Sequence, residues 1–175
     1  MEKLINGLDR KEKRVQSGSA ELVALLSEDY PILLTPFIDK FIENVDAKEP
    51  VLRWEAVCTL GNLACVDEKN KILSVLPRLY QLIGHKSIVL ANHTVQALAK
   101  IAEYNKEKAE EILDELVKAA PLFKKTTVGF IIEAMERFKE YGELVPKVKE
   151  FVEPYLESDM KVVARKARRT MKKLG

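Results

Sequence analysis

The sequence predicts an all-α solenoid, a stack of helix pairs in one domain. Three observations predict it. Apolar residues recur at long, nearly constant intervals: Leu22, Leu60, Leu98, Met135 and Met171 follow one another at steps of 38, 38, 37 and 36 residues. Two further columns keep the same step, Leu25, Leu63, Ile101, Phe138, Leu174 three positions later and the mostly small set Gly18, Ala56, Thr94, Ile131, Ala167 four positions earlier. No stretch alternates with period two, so no strand is expected. A fixed period of this size marks units that cannot bury their apolar faces alone and stack to do so.

Each unit carries two stripes. The second begins at proline: Pro36 leads to Ile38, Phe41 and Ile42, Pro77 to Leu79, Leu82 and Ile83, and Pro146 to Val148, Phe151 and Val152. The third unit keeps the apolar part (Leu113, Leu116, Val117) but has Glu111 in the proline column. The proline stripe is termed A and the small-residue stripe B.

The elements follow in chain order. Residues 2–8 read as a short helix or frayed turn, and 11–27 as a lone B helix. A helices are expected at 30–45, 68–84, 106–121 and 143–157, and B helices at 50–65, 87–104, 125–141 and 160–174. In the second B helix Ala56, Val57, Leu60, Leu63 and Ala64 cover one face at about 100° per residue. Proline fits the first turn of an A helix, where its missing N–H is not needed. Where helical residues precede it, as Ile72–Leu76 precede Pro77, it should bend the helix. The connections, among them 27–29, 47–49, 66–68, 124–126 and 157–159, are short and mostly polar, so no interdomain boundary is expected.

The run Leu76 to Ile83, then Val89-Leu90, Thr94, Leu98 and Ile101, resembles a HEAT repeat. The resemblance spans 30–174, with a B-like half unit at 11–27. It implies a right-handed α–α superhelix of about four helix pairs plus an N-terminal half repeat, a single domain over 1–175 divided near 1–27, 30–65, 68–104, 106–141 and 143–174. Two departures stand beside it. Of the arginines common three residues before the small column only Arg53 is present, with Ala91, Val128 and Ala164 in the other copies. The period also lies at or below the short end of roughly 40–47 residues. Armadillo-like three-helix units therefore stay open at one or two positions.

Composition fits one helical domain. The chain has 175 residues, 47% hydrophobic and 32% charged, a net charge of +2 and only seven glycines and seven prolines. No run of 18 apolar residues is present, and residues 1–6 lack the apolar core of a signal peptide. Cys58 and Cys65, seven apart on one helix, would have α-carbons about 10 Å apart, too far for a disulfide. Free thiols point to a reducing, cytoplasmic setting. Abundant Lys and Glu against three glutamines point to a heat-adapted source.

No constellation for catalysis emerges. His85 and His93 are the only histidines. Neither has a metal-ligand partner at suitable spacing on its own helix, so both read as surface or partner-facing residues. Gly61, Gly84 and Gly129 stand alone and form no phosphate loop. An enzyme, a cofactor or a metal is not expected.

What remains is the exposed face of the B helices. The resemblance implies that this is the concave, partner-binding side. If positions 56, 60 and 63 face the core, positions 54, 58, 61 and 62 face away. Three ladders then run along the molecule: Gln16, Trp54, Asn92, Gly129, Arg165; Ala20, Cys58, Gln96, Glu133, Arg169; and Ala24, Asn62, Lys100, Arg137, Lys173. The expected partner-binding set is Trp54, Asn62, Asn92, Gln96, Lys100, Glu133, Arg137, Arg165, Arg169 and Lys173. Along these ladders the face changes from small and apolar-to-neutral at its N-terminal end, through a mixed middle, to basic at its C-terminal end. Trp54 is either an interface anchor or packed beneath a neighbouring helix.

Residues 161–175 hold seven basic side chains and no acid, whereas the other 160 residues hold 22 basic and 27 acidic ones. A polar end cap and the helix dipole account for part of this excess. The remainder suggests an anionic partner, an acidic protein segment or nucleic-acid phosphate. The expected function is a non-catalytic protein-interaction scaffold, with nucleic-acid binding through the basic C-terminal helix as the alternative.

Replacing Leu98 by Asp should cost on the order of several kcal/mol, because an unpaired charge enters the seam between repeats. Replacing Lys106 by Asp, in a solvent turn, should move the thermal midpoint little.

Overall fold

In a computed structural model, which describes residues 1–124 and 127–175, ten α-helices are joined by short 3₁₀ segments and turns. Among the described residues there is no strand. The N-terminal turn is helix α1 (Glu2–Gly7). The B helices are α2 (Lys13–Asp29), α4 (Pro50–Leu63), α6 (Ile88–Tyr104), α8 (Gly129–Ala134) and α10 (Lys161–Lys173). The A helices are α3 (Ile38–Asn44), α5 (Leu76–Leu82), α7 (Lys106–Ala119) and α9 (Val145–Val152). In the B layer α2 packs on α4, α4 on α6, α6 on α8 and α8 on α10. This is the succession of a repeat solenoid.

Proline explains where the A halves break. Pro36 lies in a 3₁₀ segment (Pro31–Phe37), and the chain leaves helical geometry at Phe37 (φ −111°, ψ 11°) before α3 begins. A second 3₁₀ segment (Lys71–Val75) precedes Pro77, and α5 starts one residue before that proline. Each of these A halves thus comes in two pieces, giving three-part units. The third unit, with Glu111 in the proline column, has one continuous helix, α7. Starts are capped where the sequence supplies an acceptor: the Glu49 carboxylate takes the Leu52 N–H at 2.7 Å, and the Asn105 side chain takes that of Lys108 at 3.2 Å.

Leu60, Leu98, Met135, Leu63, Ile101 and Phe138 are all buried in one seam. Gly61 lets the two central B helices approach closely. A Cβ there would lie 2.7 Å from the Ala97 Cα.

Three expectations need correction. Leu22 and Leu25, placed in the core columns, are 53% and 63% exposed. The inward residues of α2 are Ser19, Ala20, Val23, Ala24 and Ser27. The step into the second unit is therefore 37 rather than 38, so that Ser19 and Val23 match Ala56 and Leu60. The cause is α1, whose Gly7 sits so close to Ser19 that a Cβ would lie 2.0 Å from its Oγ. A small residue must face it, and α2 is turned accordingly. α1 is itself a lid on the first unit, with Ile5 and Leu8 buried.

The second correction concerns the helix expected at 125–141. Its first two residues lie outside the described ones. The α-helix covers only Gly129–Ala134 and tightens to 3₁₀ over Met135–Glu140. At three residues per turn, Met135, Phe138 and Tyr141 fall in line, and all three are buried. The Tyr141 hydroxyl donates to the Ala102 carbonyl at 2.7 Å, closing the end of α6.

The third is the placement of Gly61 and Asn62 on the open face: both are buried between B helices.

The register of α2 can be tested by paired substitutions. Val23→Asp should cost several kcal/mol. Leu22→Asp should stay within about 0.5 kcal/mol, measured by chemical denaturation.

Candidate functional site: the exposed face of the B helices

The exposed B face carries an open trough of about 630 Å³ across α6, α8, its 3₁₀ extension and α10. Six of the ten expected residues line it: Asn92, Gln96, Glu133, Arg137, Arg169 and Lys173. Glu103, Phe130, Glu136 and Lys139 complete the lining. The other four lie elsewhere. Arg165 is exposed outside the trough. Trp54 is half-buried against the core, its Nε1–H donating to Glu55 Oε1 at 3.1 Å. Asn62 and Lys100 belong to a clasp between repeats.

That clasp follows the third ladder. Asn62 is buried, and its amide donates to Ser27 Oγ at 2.7 Å, while Lys100 donates to Asn62 Oδ1. Arg137 pairs with Glu103, and Lys173 with Glu136 at 2.5 Å. Each member reaches back to the repeat before it. The column expected to meet a partner thus also ties neighbouring units together.

The basic C-terminal helix is engaged in the same manner. Lys166 pairs with Glu133 at 2.6 Å and lies over the Phe130 ring, 5.2 Å from its centroid. Arg169 reaches Glu136 at 3.0 Å and Glu133 at 3.4 Å. Arg168 donates to the Leu156 carbonyl at 3.1 Å. Among the described residues Lys161, Arg165 and Lys172 have no ion pair. Burial alone would raise the Glu136 carboxyl, but hydrogen bonds from Lys173 and Arg169 outweigh it and hold the group below the usual carboxylate range. Arg169 is raised chiefly by its bond to Glu136. A one-dimensional reading could have found this pairing only by matching acids in one B helix to bases 33–37 residues on.

The N-terminal part of the face differs. With the corrected register its ladder positions are Ser17, Glu21 and Leu25 in place of Gln16, Ala20 and Ala24. Gln16 instead donates to the Leu8 carbonyl at 2.8 Å, and both alanines are buried. A groove of about 340 Å³ lies here, lined by Glu21, Leu25, Glu28, Glu55, Cys58 and His93. None of its three carboxylates has an ion pair among the described residues. Burial pushes the Glu55 carboxyl up against the opposing Trp54 hydrogen bond, and Glu21 adds to the rise. This end of the face is acidic and aliphatic, a second correction to the expected ladders.

The remaining candidates have plain surroundings. Burial pushes the Cys58 thiol up to about 11, so it stays protonated and unreactive at neutral pH. Burial, then Lys100, lowers the His93 imidazole. His85 Nδ1 accepts the Ser87 N–H at 3.0 Å in the turn before α6. Among the described residues no three His, Cys, Asp or Glu side chains are grouped to hold a metal, and no helix is long and apolar enough to cross a membrane.

No protein-family model matches the chain, and no curated protein sequence does. Solved structures do share its fold. A designed armadillo repeat protein superposes with a TM-score of 0.70 at 18% identity, over 98% of this chain and 81% of that one. Another, solved in complex with the peptide (KR)4, gives 0.73 at 17% identity over 98% and 80%. An engineered protein gives 0.70 at 17% identity over 99% and 78%. The chain is therefore an armadillo- or HEAT-like repeat solenoid.

Glu136→Gln should weaken the junction between α8 and α10 by about 1 kcal/mol near neutral pH. Because the folded-state carboxyl is held low, its contribution is complete above the usual carboxylate range and disappears as pH falls through the folded value. Urea midpoints of the two proteins, measured across pH 7 to 3, should converge at the acid end.

Proposed function

We propose that the chain is a non-catalytic scaffold that holds a segment of another protein along the exposed face of its B helices. The observation that carries this reading is the open trough, which gathers six of the ten residues expected there from the repeat register. Its cations are already matched: Arg137 by Glu103, Arg169 by Glu133 and Glu136, Lys173 by Glu136, and Lys139 by Glu140. It therefore offers a partner side-chain amides, the Phe130 ring and a balanced set of charges.

The partner's chemistry is best matched at the other end. Glu21, Glu28 and Glu55 border an exposed leucine and have no ion pair among the described residues, so a segment with Lys or Arg beside an aliphatic residue complements them. A basic segment thus replaces the acidic one anticipated from α10. The (KR)4 peptide bound to a protein of the same fold supports the preference. Nucleic acid is the weaker reading, because Lys166, Arg168, Arg169 and Lys173 are engaged within the protein.

Calorimetric titration with (KR)4 and with an octaglutamate peptide tests this. The cationic peptide should bind and the anionic one should not. Glu21→Lys together with Glu55→Lys should weaken binding about tenfold, or 1.4 kcal/mol, and Arg169→Ala should change it less than about twofold. Equal binding of both peptides, or no effect of the double substitution, would overturn the proposed partner chemistry.

A further inference from the structure

A small, partly open cavity of about 10 Å³ lies between α1, α2, α3 and α4 and shares Glu55 with the acidic groove. Its walls are mostly apolar, with Val23, Phe41 and Leu52 among them, and three polar residues line it: Asn44, Glu55 and Thr59. Asn44 Nδ2 and Thr59 Oγ1 are buried, and neither finds a hydrogen-bond partner among the described residues. Thr59 is 1% exposed. Native folds rarely leave such groups unpaired, since each costs about 1–3 kcal/mol when it is.

Thr59 also differs from a buried threonine of the next B helix, which occupies the position that matches Ala56. Buried Thr94 donates its hydroxyl to the Leu90 carbonyl, one helical turn back, at 2.8 Å. Thr59 forgoes that bond although Glu55 offers the equivalent carbonyl on α4. The space has about the minimum volume that admits one water, and three polar groups border it, within the two to four that a buried water requires.

We propose that this cavity binds one ordered water, which accepts from Asn44 Nδ2 and donates to Thr59 Oγ1 and to the Glu55 carboxylate. The site joins α3 to α4 beside the bond that Arg53 Nε of α4 donates to the Val45 carbonyl at the end of α3, at 2.9 Å. It also has a consequence at the surface. Glu55 borders both this cavity and the acidic groove, and its Oε1 already accepts from Trp54. The water therefore holds the second carboxylate oxygen and sets the direction in which the charge meets the groove. This inference stands whether or not the groove receives a basic segment.

The test is a crystal structure at high resolution together with water–protein NOEs in solution. In the unmodified protein, density should appear within about 2.7–3.2 Å of both Asn44 Nδ2 and Thr59 Oγ1, and the Asn44 side-chain amide protons should show an NOE to long-lived water. Thr59→Ser should retain that NOE and Thr59→Val should lose it. The Glu55 titration midpoint, read from its carboxyl carbon, should rise in Thr59→Val, because the carboxylate loses a donor. An unmodified protein without that NOE, or with the Asn44 amide bonded directly to a protein acceptor, overturns the proposal. So does a Thr59→Val variant that keeps the NOE.

Discussion

The structure depends on the dry contact between α4 and α6. Leu60 and Leu98 are fully buried there, and Gly61 meets Ala97 at a separation that leaves no room for a methyl group. Neither helix pair has another surface on which to hide these residues, so the seam must form for either unit to be stable. Everything outward follows from it. Because one face of each B helix is committed to its neighbours, the opposite face stays open and aligned from repeat to repeat.

Polar chemistry then acts as a second set of fasteners. Ser27, Asn62 and Lys100 form a chain across three B helices, and Glu103–Arg137 and Glu136–Lys173 continue it. The outer layer repeats the theme, with Lys71 on Asp39 and Arg78 on Asp46, each at 2.5 Å. Exposed pairs of this kind contribute little singly. Their value lies in register, since each spans about one repeat length and a slipped stack would break them all. The basic C-terminal helix reads the same way in part: Lys166, Arg169 and Lys173, three of its seven cations, answer Glu133 on α8 and Glu136 on its 3₁₀ extension.

Much of this was legible in one dimension, and the failures are instructive. Leu60, Leu98 and Met135 mark the seam by period alone, because burial recurs at each unit. Pro77 marks a break in the backbone because its constraint is local. Leu22 and Leu25 misled because the orientation of α2 is set by Gly7, a residue outside the repeat whose contact with Ser19 no periodicity encodes. Trp54, Asn62, Lys100 and Arg165 lie on the predicted ladders but not in the trough. Ladder position says nothing of a partner 35 or 38 residues away, and such partners draw Asn62 inward and tie Lys100 to it. That Asn92, Gln96, Glu133, Arg137, Arg169 and Lys173 share one stretch of the face follows from the repeat spacing, whereas Glu103, Phe130, Glu136 and Lys139 join them in the trough from positions off the ladders.

The most direct measurement of the central claim is native-state amide hydrogen exchange followed residue by residue. If the α4–α6 seam carries the stability of the stack, the slowest amides should lie in those two helices, with protection falling toward α1 and α10. Slowest exchange in the outer helices α3 and α5, or protection that peaks at either end of the chain, would contradict it.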